Sequence, residues 1–172
     1  MKKIIILCLI AAFVIPFTAC DDDNINPALG KVEIFLIKKE VEQNSYNSID
    51  PKSIVLEETP FVSYNDLETY NQTTHTFQIS KKAKETIYNL PNGGHQIAFA
   101  LKANDEIIYT GHFWSVLSSA AYFGYHFMPG LDFHKDQLKI RLGLHGSSSE
   151  LIDKRNHEKI LRIFEADNKL RK

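Results

Sequence analysis

Gly94-His95-Gln96-Ile97-Ala98-Phe99-Ala100-Leu101-Lys102-Ala103 followed by Asn104-Asp105 and then Glu106-Ile107-Ile108-Tyr109-Thr110-Gly111-His112-Phe113-Trp114 is the stretch that decides the fold. His95 to Ala103 and Glu106 to Trp114 set polar against apolar residues in rough alternation, as a strand with one buried face requires. Asn104-Asp105 tolerates positive φ and closes a two-residue turn between them. The stretch therefore predicts a half-buried β-hairpin.

Upstream of the hairpin, His75 to Ile79 alternates as a strand. Ser80 is a natural N-cap, and Lys81 to Leu90 predicts a helix with Ala83, Ile87 and Leu90 on one stripe. Pro91, Gly93 and Gly94 end it. Val32 to Ile37 predicts a strand, Glu40 to Pro51 a polar loop, and Ser53 to Glu57 a short extended segment. Ser63 before Tyr64 to Tyr70, with acids in the first turns, predicts a short capped helix. Downstream, Tyr122 to Met128 and Leu138 to Leu142 predict strands separated by Pro129-Gly130. From Asp153 a closing helix is expected, with Ile160, Leu161, Phe164 and Leu170 along one face. The expectation is one α+β domain over residues 31–172, a mixed or antiparallel sheet with two or three helices on one side.

The first residues follow a different logic. Lys2 and Lys3 precede an apolar run from Ile4 to Phe17, broken by Pro16. The run suits a secretory signal and falls short of the roughly 20 residues of a spanning helix. Phe17-Thr18-Ala19-Cys20 resembles the lipobox of bacterial lipoproteins, with Phe17 in place of the usual Leu. The resemblance implies cleavage before Cys20 and acylation of its sulfur. Cys8 would leave with the signal at residues 1–19, so an internal disulfide has no partner. Residues 20–30, opening on Asp21-Asp22-Asp23, read as an acidic tether. They also resemble export tags found after the lipidated cysteine in some Gram-negative surface lipoproteins; a solvated linker explains them equally well. These features place the chain at the cell envelope, with the outer membrane favoured and its face open. Removing the first 19 of 172 residues leaves 153, enough for one domain with a substantial core. The same cut lowers the Lys+Arg count from 20 to 18 against 21 acids, and no nucleic-acid partner is expected.

A second resemblance covers about residues 54–113. Pro60-Phe61-Val62-Ser63 with Asp66-Leu67, then Phe77 to Ala83, then Gly94 to Phe99 and Ile107-Ile108 resembles the periplasmic head subdomain of the SecDF protein-export translocase. It implies an α+β head with helices on a mixed sheet. The chain lacks that family's transmembrane helices, so translocase activity is not implied, and no functional residue carries over.

Candidate chemistry is sparse. His75, His95, His112, His126, His134, His145 and His157 are scattered, without the close pairs of zinc sites. His112 and His126 are placed to face each other on neighbouring strands with His134 nearby, the one metal alternative. Ser118, Ser119 and Ser147 to Ser149 lack a nucleophile elbow, Asp132 and Asp136 bracket His134 on a polar loop, and no cofactor is expected. The distinctive segment is Tyr109 to Phe133, dense in aromatics. Consecutive Phe113-Trp114 and Tyr122-Phe123 cannot all point inward from a strand. Phe113, Trp114, Tyr122, Phe123 and Tyr125 are accordingly the candidate binding residues, for an envelope protein, peptide or glycan. The sequence thus favours a binding module held to a membrane by its N-terminal lipid, more readily non-catalytic than enzymatic. A histidine-based metal protein or enzyme and a structural accessory component of the envelope are the alternatives.

Overall fold

Strand propensity sets the frame. The structure is a computed structural model that describes residues 30–40, 52–119, 124–143 and 152–172. Its strands are β1 (Val32–Glu40), β2 (Ile54–Leu56), β3 (Leu67–Asn71), β4 (Thr76–Ile79), β5 (Ile97–Ala103), β6 (Glu106–Phe113), β7 (Tyr125–Phe127), β8 (Gln137–Leu142) and β9 (Leu170–Arg171). Its helices are α1 (Lys81–Tyr88), α2 (Pro129–Asp132) and α3 (Glu158–Ala166). The described strands form one 9-stranded sheet in the order β2-β1-β5-β6-β7-β8-β4-β3-β9. Pairing is antiparallel except at β6–β7 and β3–β9. The α+β class and the mixed sheet expected from the sequence are what the chain adopts.

The hairpin is present with shorter strands than read: Gln96, at φ 64°, precedes β5, Trp114 follows β6, and most positions of both strands are buried on either face. β5 and β6 pair from Ile97 opposite Phe113 to Ala103 opposite Glu106. Asn104 takes φ 57° in the turn. Its amide side chain also accepts a 2.8 Å bond from the Lys31 N–H, which ties the turn to the start of β1.

One face of the sheet is the core. Val32, Ile34, Phe99, Leu101, Tyr109, Phe113, Phe127, Leu138, Ile140 and Phe77 point to it and meet Ala83 and Ile87 of α1 and Ile160, Ile163 and Phe164 of α3. Each such Ile, Leu or Phe stabilises the fold by roughly 1.5–3 kcal/mol of transfer free energy. Both longer helices therefore lie on the same side, as expected. Ser80 caps α1 by accepting from the Ala83 N–H at 3.1 Å. The Asp66 carboxylate is clamped by the Ser63 hydroxyl at 2.6 Å and the Ser80 hydroxyl at 2.7 Å. Burial opposes its charge, but those two bonds and Lys82 outweigh it and hold the carboxyl below its usual range.

Three expectations need correction. The helix over Tyr64–Tyr70 is a single 3-10 turn at Tyr64–Asp66, after which Leu67–Asn71 is strand β3. Ser63 spends its hydroxyl on the Asp66 side chain instead of on backbone N–H groups, and pairing with β4 supplies the bonds a helix would have made. The closing helix is shorter, Glu158–Ala166. Asn168 at φ 57° stops it, with the Lys169 N–H returning to the Phe164 carbonyl at 2.7 Å. Leu170–Arg171 then runs parallel to β3 as an unforeseen edge strand. The strand expected from Tyr122 is described only as Tyr125–Phe127.

Candidate functional site

The face of the sheet opposite the core has two unlike halves. On β6, His112 alternates with core-facing Gly111 and Phe113, and on β7, His126 alternates with Tyr125 and Phe127. His112 lies directly opposite His126, and His126 opposite Arg141 of β8, so the three form a row across three strands. α2 follows at once on β7 and brings Asp132 to the end of that row. The Asp132 carboxylate accepts both guanidinium nitrogens of Arg141, at 2.8 and 2.7 Å. It also accepts the Lys139 N–H at 3.1 Å, replacing a ladder bond that short β7 cannot supply. Asp132 is 8% exposed and the Arg141 side chain 22%. His112 and His126 are buried. Burial lowers the pKa of His126; the Gly124 carbonyl works against this and the charge of Arg141 adds to it. The ring is thereby kept from charging beside a guanidinium.

Close approach of β6 and β7 depends on Gly111. A Cβ there would sit 2.0 Å from the Tyr125 carbonyl oxygen and 2.9 Å from the Phe99 ring.

Beyond Asp132 the same face is open. β8, β4, β3 and β9 carry Gln137 and Lys139, Thr76 and Gln78, Thr69 and Asn71, and Arg171 outward, while Leu138, Phe77, Ile79 and Tyr70 fill the core. The register aligns Lys139, Thr76, Asn71 and Arg171 in one row, and Gln137, Gln78 and Thr69 in the next. Leu131, Asp132, His134 and Lys135 wall a depression of about 550 Å³ over these rows. Neighbour bonds orient the neutral groups: Gln137 donates to Gln78 Oε1 at 3.4 Å, and Gln78 to the Lys135 carbonyl at 3.1 Å. Arg171 Nη1 is fixed on the Asn168 and Leu170 carbonyls at 2.8 and 3.1 Å. Lys135, Lys139 and Arg171 make no ion pair among the described residues. The carboxylate of Asp132 is already held by Arg141.

The aromatic candidates lie elsewhere. Phe113, Trp114 and Tyr125 are all buried, so none of the three is a surface anchor. The Phe113 ring packs with Phe99 and Phe127 at 5.4 and 5.5 Å. Trp114 escapes the alternation argument because it lies past the end of β6. Its backbone N–H donates to the Phe127 carbonyl at 2.7 Å, and its ring meets His95 edge-on at 4.6 Å. Tyr125 stacks on Tyr109 at 4.3 Å, and its hydroxyl donates to the Ile152 carbonyl and accepts the Lys154 N–H. Tyr70 similarly donates to the Arg155 carbonyl at 2.8 Å. These tyrosines pin residues 152–156 to the sheet. The Tyr109 hydroxyl is buried with no hydrogen-bond partner among the described residues. Tyr122, Phe123 and Cys20, like the signal and all but the last residue of the tether, lie outside the described residues.

The metal alternative is assembled only in part. His112 and His126 are neighbours, but His134 is exposed on the turn after α2, at the wall of the open depression. Among the described residues no group of three His, Cys, Asp or Glu side chains is placed to hold a metal ion. Sequence reasoning missed Lys139, Thr76, Asn71 and Arg171, because each is an ordinary outward strand residue until its neighbours in the sheet are known. Comparison with protein-family models, curated proteins and solved structures finds no match, so the likeness to the SecDF head rests on the quoted residues alone.

Proposed function

We propose that the protein is a lipid-anchored binding module of the cell envelope, held at a membrane, most readily the outer one, by acyl chains on Cys20. The anchor rests on sequence: Lys2-Lys3, the apolar run to Phe17, and a cysteine directly after Thr18-Ala19. No helix among the described residues is long and apolar enough to cross a membrane. The binding surface is the open half of the outer sheet face, which takes that role in place of buried Phe113, Trp114 and Tyr125. One observation carries this reading: Lys135, Lys139 and Arg171 converge from three separate elements on one polar depression with no acid paired to them there. Concentrated like charge costs folding free energy, and a ligand of opposite charge offsets that cost.

Two measurements test the proposal. Mass spectrometry of the protein from its native host is expected to find an acylated Cys20 as the first residue, and C20S to shift the protein from membrane to soluble fractions. Hydrogen exchange of the purified full chain is expected to slow over residues 69–78 and 131–139 when solubilised envelope material is added. Protection confined to other segments removes the open face from the proposal.

A further inference from the structure

We infer that the open face takes an acidic oligosaccharide, one whose sugar carboxylates are separated by stretches of neutral hydroxyls. The inference rests on the reading of that face as the binding surface and names its ligand class.

The argument is the order of groups along one row. Lys139, Thr76, Asn71 and Arg171 sit on adjacent strands in direct register. Strands lie about 4.8 Å apart, so the two cations are anchored roughly 14 Å from each other, with a hydroxyl and an amide between them. The neighbouring row, Gln137, Gln78 and Thr69, is wholly neutral and hydrogen-bonding. A ligand that satisfies both rows carries negative charge at its ends and dense neutral donors and acceptors in between. A short chain of sugars bearing carboxylates has that pattern. Lys135 at the wall offers a third charge, and Leu131, 48% exposed beside it, offers an apolar edge for the C–H face of a ring. The depression falls within the roughly 300–1,000 Å³ of small-ligand sites.

Other polyanions fit less well. Single-stranded nucleic acid needs aromatic platforms, and the described side chains of the lining include no Phe, Tyr or Trp. An anionic bilayer presents a broad plane of phosphate charge, which matches neither the two separated cations nor the neutral row of Gln137, Gln78 and Thr69. An acidic peptide would seek the free sheet edge at β9 for its backbone, whereas this row runs across the sheet face from β8 to β9.

The test uses the full chain in a neutral detergent, with a tetrasaccharide of alternating glucuronate and N-acetylglucosamine as the probe, followed by calorimetry. Binding is expected, weakening about fivefold or more as salt rises from roughly 50 to 200 mM, because exposed charge pairs are screened. K139Q and R171Q are each expected to weaken it about tenfold, the loss of one charge-assisted contact. T76V is expected to weaken it about threefold without changing the salt dependence. Equal binding of the carboxyl-reduced tetramer, of a tetra-aspartate peptide or of inorganic phosphate overturns the inference, as does indifference to K139Q and R171Q. If the glucuronate tetrasaccharide fails to bind while envelope material still protects residues 69–78, the ligand class is wrong and the binding face stands. If both fail, the face is wrong as well.

Discussion

The two halves of the outer sheet face carry the same kinds of side chain and put them to opposite uses. In the β6–β7 half, His112 and His126 are buried, and part-buried Arg141 is answered by the bidentate carboxylate of Asp132. In the β4–β3 half, Lys139 and Arg171 stand over hydroxyls and amides with no acid against them among the described residues. Burial explains the contrast. An unpaired charge under cover is costly, so the first half had to pair its cation, while solvent leaves the second half free to keep its own uncommitted. Asp132 marks the border, bonded to Arg141 on one side and to the Lys139 N–H on the other.

The sharpest way to break the contrast is Gly111→Ala. Its Cβ cannot coexist with the Tyr125 carbonyl at 2.0 Å, so β6 and β7 must separate and the His112–His126 row with them. A loss of more than about 3 kcal/mol in urea unfolding is expected, beyond the usual range for overpacking because backbone is struck. Asp132→Asn comes next. It leaves the part-buried Arg141 guanidinium without its counter-charge and should cost about 3 kcal/mol, in the range for breaking a buried pair. An unchanged urea midpoint would mean that water already solvates Arg141.

A smaller effect is read through pH. Burial holds the folded pKa of His126 below its ordinary value, and that of His75 as well, there with Arg155 adding to the shift. The unfolded chain therefore binds more protons, and stability should be complete above about pH 6.5 and fall as the pH drops through that value. Urea midpoints at pH 7.5 and 5.5 check the sign, and His126→Gln should shrink the difference while His75 keeps part of it. The smallest effect belongs to the open half. Lys139→Gln should change stability by no more than about 0.5 kcal/mol, the usual result at a surface position without special contacts. A loss comparable to that of Asp132→Asn would erase the distinction between the halves.

Local signals were legible where they were sufficient. Asn104 at the turn, Ser80 at the cap of α1 and the stripe of Ala83 and Ile87 can each be read from a few adjacent residues and are found in place, while Leu90 is buried just past the end of α1 at Tyr88. The reading failed where a distant partner outvoted the local pattern. Leu67–Asn71 has the look of a capped helix, yet β4 and β9 claim it from both sides. Trp114 was expected to share an alternating strand with Phe113, yet the strand ends first and the ring turns onto His95. Of the candidate site, His112 opposite His126 was visible from the hairpin and the strand that follows. The row from Lys139 to Arg171 was not.

By itself the sequence determined the strands of the hairpin, the helix after Ser80, the α+β class and the expectation of a lipid at Cys20, since hydrophobic period, turn chemistry and capping act over a handful of residues. The tertiary structure alone decided which charges are covered and which lie open. Helices α1 and α3 both take the core side, and the register across β8, β4, β3 and β9 joins residues as far apart as Asn71 and Arg171. Strand pairing over such separations is fixed by the burial of the whole sheet, and no local stretch of chain encodes it.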